Sequence, residues 1–259
     1  MKATPEISRK LRGPWLAALS AVALGGGGCA TAGPNHVYFT TGSSPAVHDL
    51  GPQGSDIARA VAAGEQVLGL AYDYNTDHLF LRIAPAQVIR VIERPSEKIL
   101  REMPLPPELR TQQAADLAIR SSDRHLFAVH PDGRSVVELT LSGESVRRFD
   151  LSALGAPIGG LAYDQKAGRL LVLTAANPAR IGAIAPDGSV TYYVTLTAAV
   201  SPVSLGYDSD AQHYHVPLAG GRALGEFDAR GALIATHRLD GMGPITAVDA
   251  GPRSFIRVF

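Results

Sequence analysis

The stretch GLAYDYNTDHLFL (69–81) returns as GLAYDQKAGRLLVL (160–173), and more loosely as DLAIRSSDRHLFAV (116–129) and SLGYDSDAQHYHVP (204–217). Aligned on the central turn, the residue opening the second strand of each copy is His36, His78, His125, Arg169, His213 and Ser254. The intervals are 42, 47, 44, 44 and 41 residues. A period of forty-odd residues marks one supersecondary unit that cannot bury its apolar surface alone and must stack against its own copies. Few folds satisfy that condition.

The interior of a unit narrows the choice. In the second copy, VLGLAYD (67–73) reads as strand a, YNTD as a turn and HLFLRI (78–83) as strand b. AQVIRVIE (86–93) and KILREMPL (98–105) follow as strands c and d. Apolar residues alternate with polar ones between Gly, Pro, Asp and Asn punctuation, the pattern of half-buried antiparallel strands. Asp187-Gly188 supplies a hairpin turn between strands c and d of the fourth copy. PPELRTQQAAD (106–116) has room for one helical turn between units. Four short strands per unit at this period predict an all-β chain, a β-propeller. Strand a occurs five times, near residues 70, 117, 161, 205 and 247. Five blades are expected, with six the alternative, because strand b has six candidates and either 36–41 or 254–259 is surplus. The first copy begins at strand b and the last ends with strand a, so joining the termini would close the ring and remove two exposed sheet edges.

Composition bears on address. Residues 1–28 hold a basic stretch ending at Arg12, then the ten-residue apolar run WLAALSAVAL, then GGGG before Cys29. Ten apolar residues are too few to span a bilayer, so residues 1–28 read as a signal peptide. The single cysteine, Cys29, sits where a lipoprotein signal places its lipidated residue, although Gly26 stands where that motif usually carries leucine. Ordinary secretion is the alternative, with cleavage after Ala30-Thr31-Ala32. A short linker, 29–35, would then hold the propeller domain, 36–259, within roughly 25 Å of its anchor. The expected location is the bacterial cell envelope, and the outer membrane if the host is Gram-negative, since Ala30 follows the cysteine. Of the 24 basic and 24 acidic residues, four basic and one acidic lie in 1–28, which leaves the remainder at a net charge of −3. That faint acidity offers no field for nucleic acid or anionic lipid. The membrane is expected to be touched through the lipid anchor only.

The sequence G-L-A-Y-D, turn, R/H-L-hydrophobic-V, followed by a strand, P-D-G and a final strand, resembles the NHL and YVTN-type bacterial propellers over nearly all of the chain from residue 36. The resemblance implies the propeller fold. It spans protein- and ligand-binding scaffolds, metal-dependent lactonases and lyases, and esterase-like or phytase-like enzymes. The enzymes ring the central channel with carboxylates, asparagine or histidine around a divalent cation. No such set matches here residue by residue, and none is carried over.

Candidate sites are weighed by symmetry. Asp73, Asp164, Asp208 and Asp249 are read as ending strand a in four of five copies, which suits caps on the a–b turn better than a Ca²⁺ ring. His36, His78, His125 and His213 share the first slot of strand b and read as repeat chemistry. Exceptions carry more information. Asp116 is the sole charge in the ring Gly69, Asp116, Gly160, Ser204 and a position near Thr246, and Arg120 follows four residues on. His215 stands where Phe80, Phe127 and Leu171 stand elsewhere, and forms H-x-H with His213. Asp116, Arg120 and His215 are the candidate ligand-binding residues. No nucleophile elbow, phosphate loop or H-E-x-x-H occurs. The expected function is a binding scaffold for an envelope protein, peptide or glycan, with no cofactor. The alternative is a metal-assisted hydrolase or lactonase, which alone would need a divalent cation.

Overall fold

The computed structural model describes residues 35–52 and 54–252. Residues 1–28, expected to be a signal peptide, Cys29 and the segment 254–259 lie outside the described residues. β1 (Asn35–Thr41) and β2 (His48–Asp49) come first, followed by a blade of β3 (Gln66–Asp73), β4 (His78–Ala84), β5 (Val88–Glu93) and β6 (Lys98–Pro104). The third blade holds β7 (Leu117–Arg120), β8 (His125–Val129), β9 (Ser135–Leu139) and β10 (Ser145–Asp150). The fourth holds β11 (Ile158–Asp164), β12 (Arg169–Thr174), β13 (Arg180–Ile184) and β14 (Val190–Thr195). β15 (Gly206–Asp208), β16 (His213–Pro217), β17 (Ala223–Phe227) and β18 (Leu233–Arg238) form the fifth, and β19 (Ile245–Pro252) ends the series. Two single 3₁₀ turns, Pro107–Leu109 and Ser152–Leu154, link blades.

Each four-strand group is one antiparallel sheet in chain order, and the first blade is the three-stranded sheet β19-β1-β2. β19 pairs with β1 so that His36 faces Gly251 and Tyr38 faces Asp249. The chain is thus a five-bladed propeller whose ring closes between its two terminal strands, and residues 36–41 are strand b of the closing blade. The fourth strand of that blade is reduced to one bridge, Val47 to Ile57. Arg90 holds the stretch that replaces it, donating to the Ala60 carbonyl at 2.9 Å and to Glu65 at 2.7 Å.

The half-buried alternation expected of every strand holds for none of the inner ones. Val67–Asp73 of β3 and Leu79–Ala84 of β4 are buried at every position, and solvent reaches mainly the outer strands β6, β10 and β18. Blades stack face to face, so both faces of an inner strand lie against protein. The cores sit between blades: Tyr38 with Leu70 and Leu79, Phe80 with Leu117 and Leu126, Phe127 with Leu161 and Leu170. Leu171 with Tyr207 and Phe227, then Phe39 with Leu224 and Val248, complete the circle. Each large apolar side chain buried this way stabilises by roughly 1.5–3 kcal/mol. Convergence at the axis needs glycine: a Cβ on Gly69 would lie 2.7 Å from the Asp116 Cα, and one on Gly160 2.6 Å from the Ser204 carbonyl carbon.

Candidate functional site

Every innermost strand turns one edge to the axis, and its inward N–H groups need acceptors. Asp116 supplies them for most of one level. Its Oδ2 accepts from Leu161 at 2.9 Å and Leu205 at 3.0 Å, and its Oδ1 from Leu70 at 3.4 Å. The Leu117 N–H also bonds to it. The fifth N–H of that level, Val248, donates to Ser204 Oγ at 2.9 Å. Asp116 is fully buried. Burial pushes its pKa well up, and the N–H bonds oppose that shift. Below the third blade, the buried Arg82 guanidinium donates to the carbonyls of Val129 at 2.8 Å, Ala115 at 3.2 Å and Leu109. The position in the fifth ring slot is Ala247, opposite Thr40, rather than Thr246.

Arg120 does not meet Asp116. Four residues of strand carry it about 13 Å along the axis, to the end of β7. There its guanidinium bonds Asp123 at 2.8 Å and Glu138 at 2.5 Å and lies 5.2 Å from the Phe127 ring centre.

Three of the four strand-end aspartates cap their turns as expected. Asp73 accepts from the Asn75 N–H at 3.1 Å, Asp164 from Ala167 at 3.0 Å and Asp208 from Asp210 at 2.8 Å. Asp249 does not. It stands two residues before the end of the repeat, opposite Tyr38, level with Ala71, Ala118, Ala162 and Gly206. In this blade the a–b connection runs between the two ends of the chain, so no turn in the sequence fixes the register. Asp249 accepts from the Tyr72 N–H at 2.7 Å and from the Ala250 N–H at 2.8 Å. Burial raises its pKa to about 7 against those two bonds.

The strand-b histidines obey a rule of their own. His36 bonds Asp49, His125 bonds Glu138 and His213 bonds Glu226, at 2.7, 2.7 and 2.6 Å, always with a carboxylate thirteen residues on. A His-x₁₂-Asp/Glu spacing in three blades was therefore present in the sequence. His78 has Val91 at that offset and carries no such partner there. His215 lies behind His213, only 4% exposed, with its Nδ1 unpartnered. Burial lowers its pKa to about 4 against the pull of Glu226. His237 approaches the same Glu226 at 3.3 Å. Among the described residues, no three His, Cys, Asp or Glu side chains are arranged to hold a metal ion.

Two cavities open on opposite faces. At the a–b-turn face, a mouth of about 190 Å³ is lined by the inner strands at Tyr72, Ile119, Tyr163, Tyr207 and Ala250, with Asp249 deeper. Its rim is interlocked from blade to blade. Asn75 donates to the Ser121 carbonyl at 3.0 Å, Ser121 N–H to Gln165 at 3.0 Å and Gln165 N–H to Ser209 at 3.1 Å, beside a Lys166–Asp210 ion pair at 2.6 Å. The far face carries a shallower cavity of about 580 Å³ between the first two blades, bounded by Thr41–Pro45, Val61–Val67, Pro244 and Thr246. Thr41 Oγ1 there is buried without a partner.

No family model and no curated protein sequence matches the chain. Solved structures do. A nidogen/laminin complex superposes with a TM-score of 0.58 at 12% identity, over 83% of this chain and 98% of that one. A catalytically inactive virginiamycin B lyase from Staphylococcus aureus, solved with quinupristin, gives a TM-score of 0.47 at 14% identity, over 80% and 67%. Myxococcus xanthus glutaminyl cyclase gives 0.47 at 14%, over 71% and 69%. Likeness at these identities is one of fold.

Proposed function

We propose that this chain is an exported, lipid-anchored propeller of the NHL/YVTN type that acts as a binding scaffold in the cell envelope, for a protein, peptide or glycan. The observation that carries the reading is the sealed axis. Asp116 spends both carboxylate oxygens on backbone N–H groups of several blades, so the residue best placed for channel chemistry closes the channel instead. What is left to a ligand is two faces. That a fold neighbour was solved as a nidogen/laminin complex, a protein–protein assembly, agrees with binding through such faces.

Two measurements test this reading. A panel of esters and lactones, assayed with and without added Ca²⁺ or Mn²⁺, should show no turnover; turnover abolished by Asp116→Ala would sink the scaffold reading in favour of the hydrolase. Mass spectrometry of the mature N-terminus should find a lipidated Cys29, and a chain beginning at Gly33 would replace anchoring with secretion.

A further inference from the structure

The axis holds a second level of inward N–H groups. Along an antiparallel strand, backbone groups point alternately into the ladder and away from it. Leu70, Leu117, Leu161, Leu205 and Val248 turn theirs to the axis, where Asp116 and Ser204 accept them. Two residues nearer the mouth, the same parity turns Tyr72, Ile119, Tyr163, Tyr207 and Ala250 inward, and these residues line the mouth. Asp249 takes the N–H groups of Tyr72 and Ala250. The Ile119 carbonyl, which points the same way as its N–H, receives Gln165 Nε2 at 2.6 Å and confirms the direction. The donors of Ile119 and Tyr163 thus face the cavity.

At the level below, the same ring of donors already holds a carboxylate: that of Asp116. We propose that the mouth takes a second one from outside, the carboxylate of a small organic acid or of a peptide C-terminus. The N–H groups of Ile119 and Tyr163 hold it, and the Asp249 carboxyl lies at the floor. Converging backbone donors capture carboxylates in this manner elsewhere. The inference rests on reading the chain as a binding propeller.

Asp249 then sets a condition. As a carboxylic acid it can donate its proton to the bound carboxylate; as an anion it repels it. Because burial raises its pKa to about 7, the competent form falls about tenfold between pH 6 and pH 8, and apparent affinity falls with it. The other charged or titratable groups around it are Tyr38 opposite in β1, Tyr72, Tyr74, Tyr163 and Tyr207, the Lys166–Asp210 pair at the rim, and His36, which is bonded to Asp49.

The test is calorimetric titration of the mature chain with N-acetylglycine and with its amide, at pH 6 and pH 8. The acid should bind at least tenfold more tightly than the amide at pH 6, weaken about tenfold at pH 8, and take up a proton on binding there. Asp249→Asn should bind the acid without the pH step, which separates Asp249 from His36. A pentapeptide with a free C-terminus that binds like N-acetylglycine assigns the site to peptide ends; one that does not assigns it to free acids. Equal affinity for acid and amide on the unmodified chain, or a pH step that survives Asp249→Asn, overturns the inference. Turnover of the ester and lactone panel would sink the scaffold reading whatever N-acetylglycine does. A mouth indifferent to carboxylates beside an inert panel would sink only the carboxylate site.

Discussion

Replacing His215 with phenylalanine should make the protein more stable at acid pH by an amount the structure sets. His215 is 4% exposed, and burial lowers its pKa to about 4 from 6.5. A folded pKa below the unfolded one means the unfolded chain binds the extra proton between those values, so stability is lost as pH falls through that window. The linkage gives a loss of about 2 kcal/mol at pH 5 and almost none at pH 7.5. Phenylalanine is what β4 and β8 carry at this slot, as Phe80 and Phe127, so the ring fits a position the repeat already builds. It also removes the unpartnered Nδ1. Glu226 keeps His213 and His237.

Asp249 works in the opposite sense. Its folded pKa of about 7 lies above the unfolded 3.8, so its contribution favours the fold at low pH and is lost as pH rises toward 7. By the same linkage it contributes about 2.5 kcal/mol between pH 7.5 and pH 5, nearly offsetting His215. Asp249 acts alike in both proteins, so on going from pH 7.5 to pH 5 His215→Phe should gain about 2 kcal/mol relative to the wild type. Urea unfolding of both proteins at the two pH values measures the difference directly. If the two proteins change by the same amount within about 0.5 kcal/mol, His215 is not the buried neutral imidazole described.

Other substitutions probe the axis and the seam. Asp116→Ala leaves several buried N–H groups without an acceptor and should cost at least about 3 kcal/mol in urea unfolding. Arg94→Met strands Asp77, which it binds through two bonds of 2.6 Å beneath the Tyr72 hydroxyl, and should cost about 3–5 kcal/mol. Adding Asp77→Asn should return part of that loss. Gly69→Ala sets a Cβ 2.7 Å from the Asp116 Cα and should cost about 3 kcal/mol or more, whereas Gly42→Ala, whose nearest neighbour is 3.8 Å away, should stay within about 0.5 kcal/mol in the same assay.

Fold and repeat were legible because turn chemistry recurs. Asp73, Asp164 and Asp208 must each cap an a–b turn, so the same residue returned at the same slot. Burial was less legible: the expected alternation describes a sheet with one wet face, and the inner strands here have none. Strands β3 and β4 keep polar residues such as Asp73 and Arg82 only because each finds partners inside.

The site divides along the same line. Asp116 stood out in the sequence as the one charge among small residues, yet its role depends on N–H groups that the chain brings from residues 70, 161 and 205. Sequence spacing does not show where a strand edge points. Asp249 was hidden for a different reason. It fell beside a pattern that ended three other strands with aspartate, and its register is fixed only by pairing with Tyr38, some two hundred residues earlier. A repeat closed by its own termini has one blade whose alignment no local signal can set. In this chain that blade carries the only acidic side chain among the inner-strand positions level with Ala71, Ala118, Ala162 and Gly206, and it lies at the floor of the mouth.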